Sequence, residues 1–459
     1  MESLRFFVQT FGCQMNDHDS EVLARLMEEE GHLQVASPAE ADVILVNTCA
    51  IREKAEQKLY SQLGRYKALK RRRPGMVIAV GGCVAQGAGE RVFRRAPHVD
   101  LVFGTHAVDE VPELVRQVRR TGRRIVATGM DPDPERMGRF YARHRAAGPR
   151  AYVTVMQGCD NYCAYCVVPF VRGPEVSRPA DEVVAEVERL VAGGVREVTL
   201  LGQNVNSYGT KPRGDTDFPA LLRRLARVPG LRRIRFTTSH PKDLSGELIR
   251  CFAEIPQLMP HIHLPLQSGS DRILRAMRRR YTVEHYLALV RALRGARPGI
   301  AITSDMIVGF PGETEEDFRA TLDVMERVRF DGLFSFKFSP RPGTVAAGLP
   351  DPVPEPVKEE RLHRLQQLQA VHSLERNRAL VGTVRPVLVE GASRAGEGQM
   401  TGRTPENKVV NFPGREHWIG CEVRVRITGA SANTLRGLAD DEEGADQANA
   451  PGGEACMCR

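Results

Sequence analysis

No stretch of this 459-residue sequence is apolar for long enough to span a membrane. Its first residues, MESLRFFVQTFGCQMND, also lack a basic segment followed by a long apolar run and a small-residue cleavage site. These absences argue against an integral membrane or secreted protein, and the expected compartment is the cytosol, with no membrane partner. A reducing compartment also argues against a disulfide framework, so the ten cysteines are expected to be ligands or buried thiols. The paired C-x2-C arms of ordinary zinc sites are missing as well.

What is present fits a soluble globular chain, with 42% hydrophobic and 27% charged residues. The chain is too long for one core, and about two to four domains are expected. Its net charge of +8 is unevenly spread. From Asp440 onward six acidic residues face Arg459 alone, leaving +13 on the remainder. Clusters such as LKRRRPG and MRRRY add to that excess, which fits either a solvated basic surface or a polyanionic partner.

Residues 1–130 alternate β-rich runs (RFFVQTFGC, DVILVNTC, MVIAVGGC) with helical patterns such as DSEVLARLMEEEGH, which predicts an open parallel α/β sheet. Residues 131–150 are rich in Pro, Gly and Arg and read as a linker. From 151 to 350, strands are expected at 151–156, 196–202, 232–238, 261–266, 301–309 and 332–339. Six such units make a partial (β/α)6 barrel, with its active site at the C-terminal strand ends. A helical connector follows at 351–381. Short strands over 382–439 fit a small antiparallel β-barrel, and 440–459 reads as a disordered acidic tail.

Two groups of cysteines carry chemistry. Cys159, Cys163 and Cys166 are spaced C-x3-C-x2-C directly after the first barrel strand. Three thiols fit a zinc ion completed by a distant histidine, or a 4Fe–4S cluster with one iron free of protein ligands. The spacing favours the cluster, whose open iron can bind and activate a small molecule. Cys13, Cys49 and Cys83 are far apart in sequence, yet each ends a predicted strand. Parallel strands bring their C-terminal ends to one edge, so the three thiols are expected to meet there. The alternative is three unrelated buried cysteines; the shared strand-end position favours a second cluster. Cys251 and Cys421 read as packing residues, and Cys456 and Cys458 fall in the tail.

The C-x3-C-x2-C motif at the end of the first strand of a six-unit barrel resembles the radical S-adenosylmethionine (SAM) enzymes. With the second cysteine set, and with VGGCVAQ, LLGQNVNSYG, RFTTSHP, HLPLQSGSDRIL and SDMIVGFPGETEEDF, the chain resembles the methylthiotransferases from about residue 4 to 439. FGCQMND and NTCAIREKA resemble the MiaB-type branch, which acts on C2 of N6-isopentenyladenosine beside the tRNA anticodon. Other branches act on N6-threonylcarbamoyladenosine or a ribosomal protein aspartate and read differently there.

The resemblance implies two 4Fe–4S clusters, on Cys13, Cys49 and Cys83 and on Cys159, Cys163 and Cys166, with SAM as both radical source and methyl donor. It implies SAM contacts at Gln203, Ser239, Gln267, Arg279 and Asp305. It also makes the C-terminal barrel a TRAM domain, an OB-like RNA-binding module, with Arg385, Arg394, Arg403, Lys408 and Arg415 as candidate phosphate contacts. The implied partners are tRNA through its anticodon loop, an electron donor such as a flavodoxin or ferredoxin, and a sulfur donor.

Overall fold

The computed structural model describes residues 3–50, 53–211, 216–350 and 352–440. The N-terminal region is a six-stranded parallel sheet. Its order is Leu33–Gln34, Arg5–Phe11, Val43–Thr48, Val77–Gly82, Leu101–Phe103, Ile125–Ala127. Val43–Thr48 and Val77–Gly82 are buried along their whole length, as central parallel strands covered on both faces must be. Gln14–Glu29 and Val111–Thr121 cover one face through Val22, Leu23, Leu26 and Val115. Glu53–Arg72 covers the other through Leu59, Leu63 and Tyr66. The sequence showed only three of these strands. The other three are two or three residues long, too short for a readable alternation.

The stretch expected to be a plain linker holds a helix, Pro134–Tyr141, capped by Asp133, whose side chain accepts from the Glu135 N–H. Its Met137, Phe140 and Tyr141 join the N-terminal core, so this segment packs rather than spans. Six parallel strands follow: Arg150–Thr154, Glu197–Leu201, Arg233–Phe236, His261–His263, Ala301–Val308 and Gly332–Lys337. They form two groups of three that adjoin through an isolated bridge between Ile234 and Leu258, over one continuous apolar core. The helix Glu355–Arg378 then leads to a closed five-stranded barrel, Val384–Ala392, Gln399–Arg403, Val409–Pro413, Glu422–Ala430 and Leu435–Ala439. Residues 441–459, including Cys456 and Cys458, lie outside the described residues. No described helix is long and apolar enough to cross a membrane.

The two barrels meet at the N-terminal ends of the large barrel's strands. Glu197 is buried there, in register between Arg150 and Arg233. It pairs with Arg150 and Arg235, each at 2.9 Å. Arg150 continues to Glu390 at 2.8 Å, and Arg233 pairs with Glu422 while donating to the Arg403 carbonyl. Arg235 donates to the carbonyls of Thr404 and Pro405. The small barrel therefore closes the base, leaving the opposite end for chemistry.

Burial alone would raise the Glu197 pKa, but Arg235, Arg150 and Arg233 outweigh it and hold the carboxyl below its ordinary range. A depressed folded-state pKa gives stability that is present above the unfolded value of about 4.3 and is lost as pH falls through the folded value. Glu197→Gln should therefore cost about 3 kcal/mol at neutral pH, since it leaves the buried Arg235 guanidinium without a carboxylate partner among the described residues. The deficit should shrink in acid. Denaturant unfolding at both pH values tests this, and equal stability of variant and wild type at neutral pH would contradict it.

Candidate functional site

Cys13, Cys49 and Cys83 each sit where a parallel strand ends and the chain turns. Cys13 follows Gly12 and occupies the N-cap of Gln14–Glu29. Cys49 follows Val43–Thr48 and ties its N–H to the Phe11 carbonyl at 2.9 Å. Cys83 opens the helix Cys83–Ala88 directly after Gly82. Gly82 has φ +87°, and a Cβ there would run into Asn47 and the Thr48 backbone, so only glycine lets the strand turn into the cysteine. Asn16 and Asn47 brace the corner: Asn16 Nδ2 donates to Asn47 Oδ1 and Asn47 Nδ2 donates to the Asn16 carbonyl, both at 3.0 Å.

The thiols feel one another. The Cys13 pKa is lowered to about 6, first by its hydrogen bond with Cys49; burial opposes this, and Arg172 and the N–H groups of Asn16 and Met15 support it. Burial pushes the Cys83 thiol up, with Arg172 pulling against it and Cys13 adding to it. Arg172 belongs to the large barrel, is buried, and reaches across to this edge. Its Nε donates to Cys83 Sγ at 3.4 Å and its Nη2 pairs with Asp19 at 2.8 Å.

Cys159, Cys163 and Cys166 lie on the loop after Arg150–Thr154 and the short strand Met156–Gln157. Gly158, at φ +81°, brings the loop against the Pro174 carbonyl, and its N–H donates to Gln203 Oε1 at 2.5 Å. The Cys159 N–H donates to the Gly173 carbonyl at 3.2 Å. Gly173 is next to Arg172, so one short segment touches both thiol sets. Burial pushes Cys159 up to about 11 and Cys166 up to about 12. Thiols with such values become ligands only when a cation replaces the proton.

Each set offers three sulfur donors, and a buried guanidinium lies 3.4 Å from one sulfur of each: Arg172 on Cys83 and Arg279 on Cys163. Soft three-sulfur donor sets in a cationic setting suit a polynuclear iron–sulfur group with one iron free of protein ligands.

The other expected contacts ring the same end of the barrel. Arg279 is buried; its Nη2 donates to the Pro265 carbonyl at 2.9 Å, its Nε to Tyr281 Oη at 3.0 Å and its Nη1 to Cys163 Sγ at 3.4 Å. The Ser239 hydroxyl is buried without a hydrogen-bond partner among the described residues. The Gln267 N–H donates to the Asp305 carbonyl at 2.9 Å, and the Asp305 carboxylate faces His263 Nε2 at 3.4 Å. Seven described non-glycine residues have positive φ. Five of them adjoin or are these residues: Tyr162 before Cys163, Thr238 before Ser239, Gln267 itself, and Arg278 and Arg280 flanking Arg279. Such backbone strain persists only where surrounding structure enforces it.

The basic residues expected on the small barrel divide. Lys408 pairs with Asp331 of the large barrel at 3.2 Å and is mostly buried, which removes it from a phosphate-facing surface. Arg385 is held by Glu406 at 3.2 Å and Arg403 by Glu390 at 3.1 Å. Arg394 and Arg415 are exposed. Sequence reading did not single out Arg172, Asn16 or Asn47, which the structure brings to the N-terminal thiols; Asn16 lies in FGCQMND and Asn47 in NTCAIREKA, and Arg172 follows the C-x3-C-x2-C motif by six residues.

Family models divide the chain in three: uncharacterized protein family UPF0004 matches residues 5–104, the radical SAM superfamily 153–325 and the TRAM domain 378–439. A radical S-adenosylmethionine methyltransferase, TsrM from Kitasatospora setae, shares the fold with a TM-score of 0.55 at 16% identity, over 75% of this chain and 77% of that one. A tRNA-2-methylthio-N(6)-dimethylallyladenosine synthase of Geobacter sulfurreducens is 53% identical over 95% of this chain and 97% of its own length. One of the same name from Geotalea uraniireducens is 52% identical over 94% and 98%. At that identity and coverage, the chain belongs to the tRNA-2-methylthio-N(6)-dimethylallyladenosine synthase family of radical SAM proteins.

Proposed function

We propose that this protein adds a methylthio group to C2 of N6-isopentenyladenosine, the base also called N6-dimethylallyladenosine, next to the anticodon in tRNA. The observation that carries the reading is the pair of three-thiol sets that share the Arg172–Gly173 segment, one set on each of two domains. Cys159, Cys163 and Cys166 would hold one 4Fe–4S cluster, and Cys13, Cys49 and Cys83 a second. When bound, the barrel cluster supplies the electron that cleaves SAM to a 5′-deoxyadenosyl radical, and the N-terminal cluster supplies the sulfur for the methylthio group.

The chain's own residues set the conditions. Cys49, Cys83, Cys159 and Cys163 are buried, which limits the access of water to the reactive centre. Arg172, fixed by Asp19, places a permanent positive charge against the N-terminal sulfurs and lowers the cost of holding thiolates there. Gln203 fixes the loop that presents Cys159, and Arg279 steadies Cys163. Ser239, Gln267 and Asp305 offer polar groups for the amino-acid and ribose parts of SAM. A base in a single-stranded anticodon loop can be turned into this end at little unstacking cost. Of the basic residues expected on the small barrel, Arg394 and Arg415 are exposed and would contact phosphate. Deleting the small barrel would strip Arg233, Arg235 and Asp331 of their partners, so point changes are the cleaner probe of RNA binding. A flavodoxin- or ferredoxin-type electron donor, a sulfur donor and a cytosolic location complete the proposal.

Nucleoside analysis of tRNA from a deletion strain should show loss of the methylthiolated base and accumulation of N6-isopentenyladenosine. The wild-type gene should restore it, and the triple variant Cys159→Ala, Cys163→Ala, Cys166→Ala should not. An unchanged nucleoside profile in the deletion strain would refute the substrate. Arg172→Met should selectively weaken the N-terminal centre, lowering anaerobically reconstituted iron from about eight toward about four per chain. Arg172→Lys should recover part of it. Full iron content in Arg172→Met would show that the guanidinium has no part in holding that centre.

A further inference from the structure

Away from both thiol sets, His18, His144 and Glu186 meet in the seam between the N-terminal domain and the large barrel. They come from three segments: the helix Gln14–Glu29, the chain just after Pro134–Tyr141, and the barrel helix Ala180–Ala192. Their fractional exposures are 0%, 2% and 0%. One ligand atom from each lies within 4.8 Å of the other two, and His144 Nδ1 is 3.7 Å from Glu186 Oε1. Three of their atoms, His18 Nε2, His144 Nδ1 and Glu186 Oε1, are buried without a hydrogen-bond partner.

Thr154 Oγ1 lies 2.8 Å from His18 Nδ1 and 3.2 Å from Met15 Sδ. With the ring proton on Nδ1, shared with the Thr154 oxygen, His18 Nε2 carries a bare lone pair. Glu21 accepts from His144 Nε2 at 3.0 Å, which leaves His144 Nδ1 bare in the neutral ring. Arg178 engages Glu186 Oε2 at 2.6 Å, leaving Oε1. Two imidazole nitrogens and a carboxylate oxygen are thus buried without a hydrogen-bond partner in one three-residue group, and an oxygen lies behind each ring. That is how metal-binding histidines are oriented.

We propose that His18, His144 and Glu186 form a buried site for a divalent metal of the zinc class, which pins the N-terminal domain to the barrel. Two nitrogens and one carboxylate suit zinc-like ions rather than calcium or magnesium, which prefer all-oxygen shells. Zinc would draw the ligand atoms somewhat closer, since bonds of ~2.0–2.1 Å hold nitrogens about 3.3 Å apart. The competing occupant is a proton. Glu21 and Glu186 both raise the proton affinity of His144 against the opposing effect of burial, and an imidazolium would bridge them. That arrangement still leaves His18 Nε2 without a donor, whereas a metal satisfies all three atoms. The site stands apart from the proposed reaction and would hold whatever the enzyme's substrate.

Full-length protein, prepared anaerobically with its iron, incubated with Zn2+ alone and dialysed, tests the site. It should retain about one zinc per chain. Zinc K-edge absorption should show a first shell of nitrogen and oxygen at about 2.0 Å with imidazole scattering. His18→Asn combined with Glu186→Gln should lower bound zinc at least about tenfold while iron and the cluster absorption stay unchanged, which also shows the variant is folded. Three results would overturn the proposal: no zinc retained by the wild type, a sulfur shell near 2.3 Å that puts the metal on cysteines, or undiminished zinc in the folded variant.

Discussion

Six thiols, three at the ends of parallel strands and three on the loop after the first barrel strand, are the constraint around which the molecule is arranged. A buried thiol resists ionisation, as Cys159 and Cys166 show, so the site is completed only by a positive centre that replaces their protons. The backbone is adapted to that demand. Gly82 and Gly158 let strands turn directly into Cys83 and Cys159, and positive-φ residues accompany the site around the barrel rim. Arg172 joins the two halves: it belongs to one domain, is neutralised by Asp19 of the other, and lies against Cys83. Two thiol sets that are separate in sequence become one functional region because this side chain and its neighbour Gly173 touch both.

The opposite end of the large barrel follows different physics. There the strand starts are held by charge, with Glu197 among three arginines and the small barrel closing over them. Sulfur chemistry at one end and ion-paired closure at the other explain why the C-terminal domain's basic residues are not interchangeable. Lys408 and Arg403 serve the closure, and Arg394 and Arg415 face outward. Phosphate recognition by this domain would therefore use its exposed loops rather than the face against the barrel.

Much of this was legible in the chain. Cys159, Cys163 and Cys166 could be read from their compact spacing, and Cys13, Cys49 and Cys83 because each follows a β-rich run and strand ends in parallel sheets share an edge. The six barrel strands were readable from their apolar runs, Gln203 from its place just after one of them and Asp305 as a carboxylate inside another. What escaped had no local signature. Arg172 acts on a thiol 89 residues away, and Lys408 finds its partner 77 residues away, so neither role appears in a short window. The helix Pro134–Tyr141 has only one apolar turn, Met137 with Phe140 and Tyr141, set among proline and arginine that suggest a loop. The edge strands of the N-terminal sheet are shorter than any period that could reveal them.

The central claim is a division of labour between the two thiol sets, and the N-terminal set is its most exposed part. Replacing Cys13, Cys49 and Cys83 together with alanine removes one set and leaves the compact loop of Cys159, Cys163 and Cys166 intact. With a chemical reductant, the account predicts that this variant still converts SAM to 5′-deoxyadenosine, forms no S-adenosylhomocysteine and makes no methylthiolated adenosine in tRNA. Methylthiolated tRNA from the triple variant would contradict the account, because the sulfur would then come from somewhere other than the N-terminal domain.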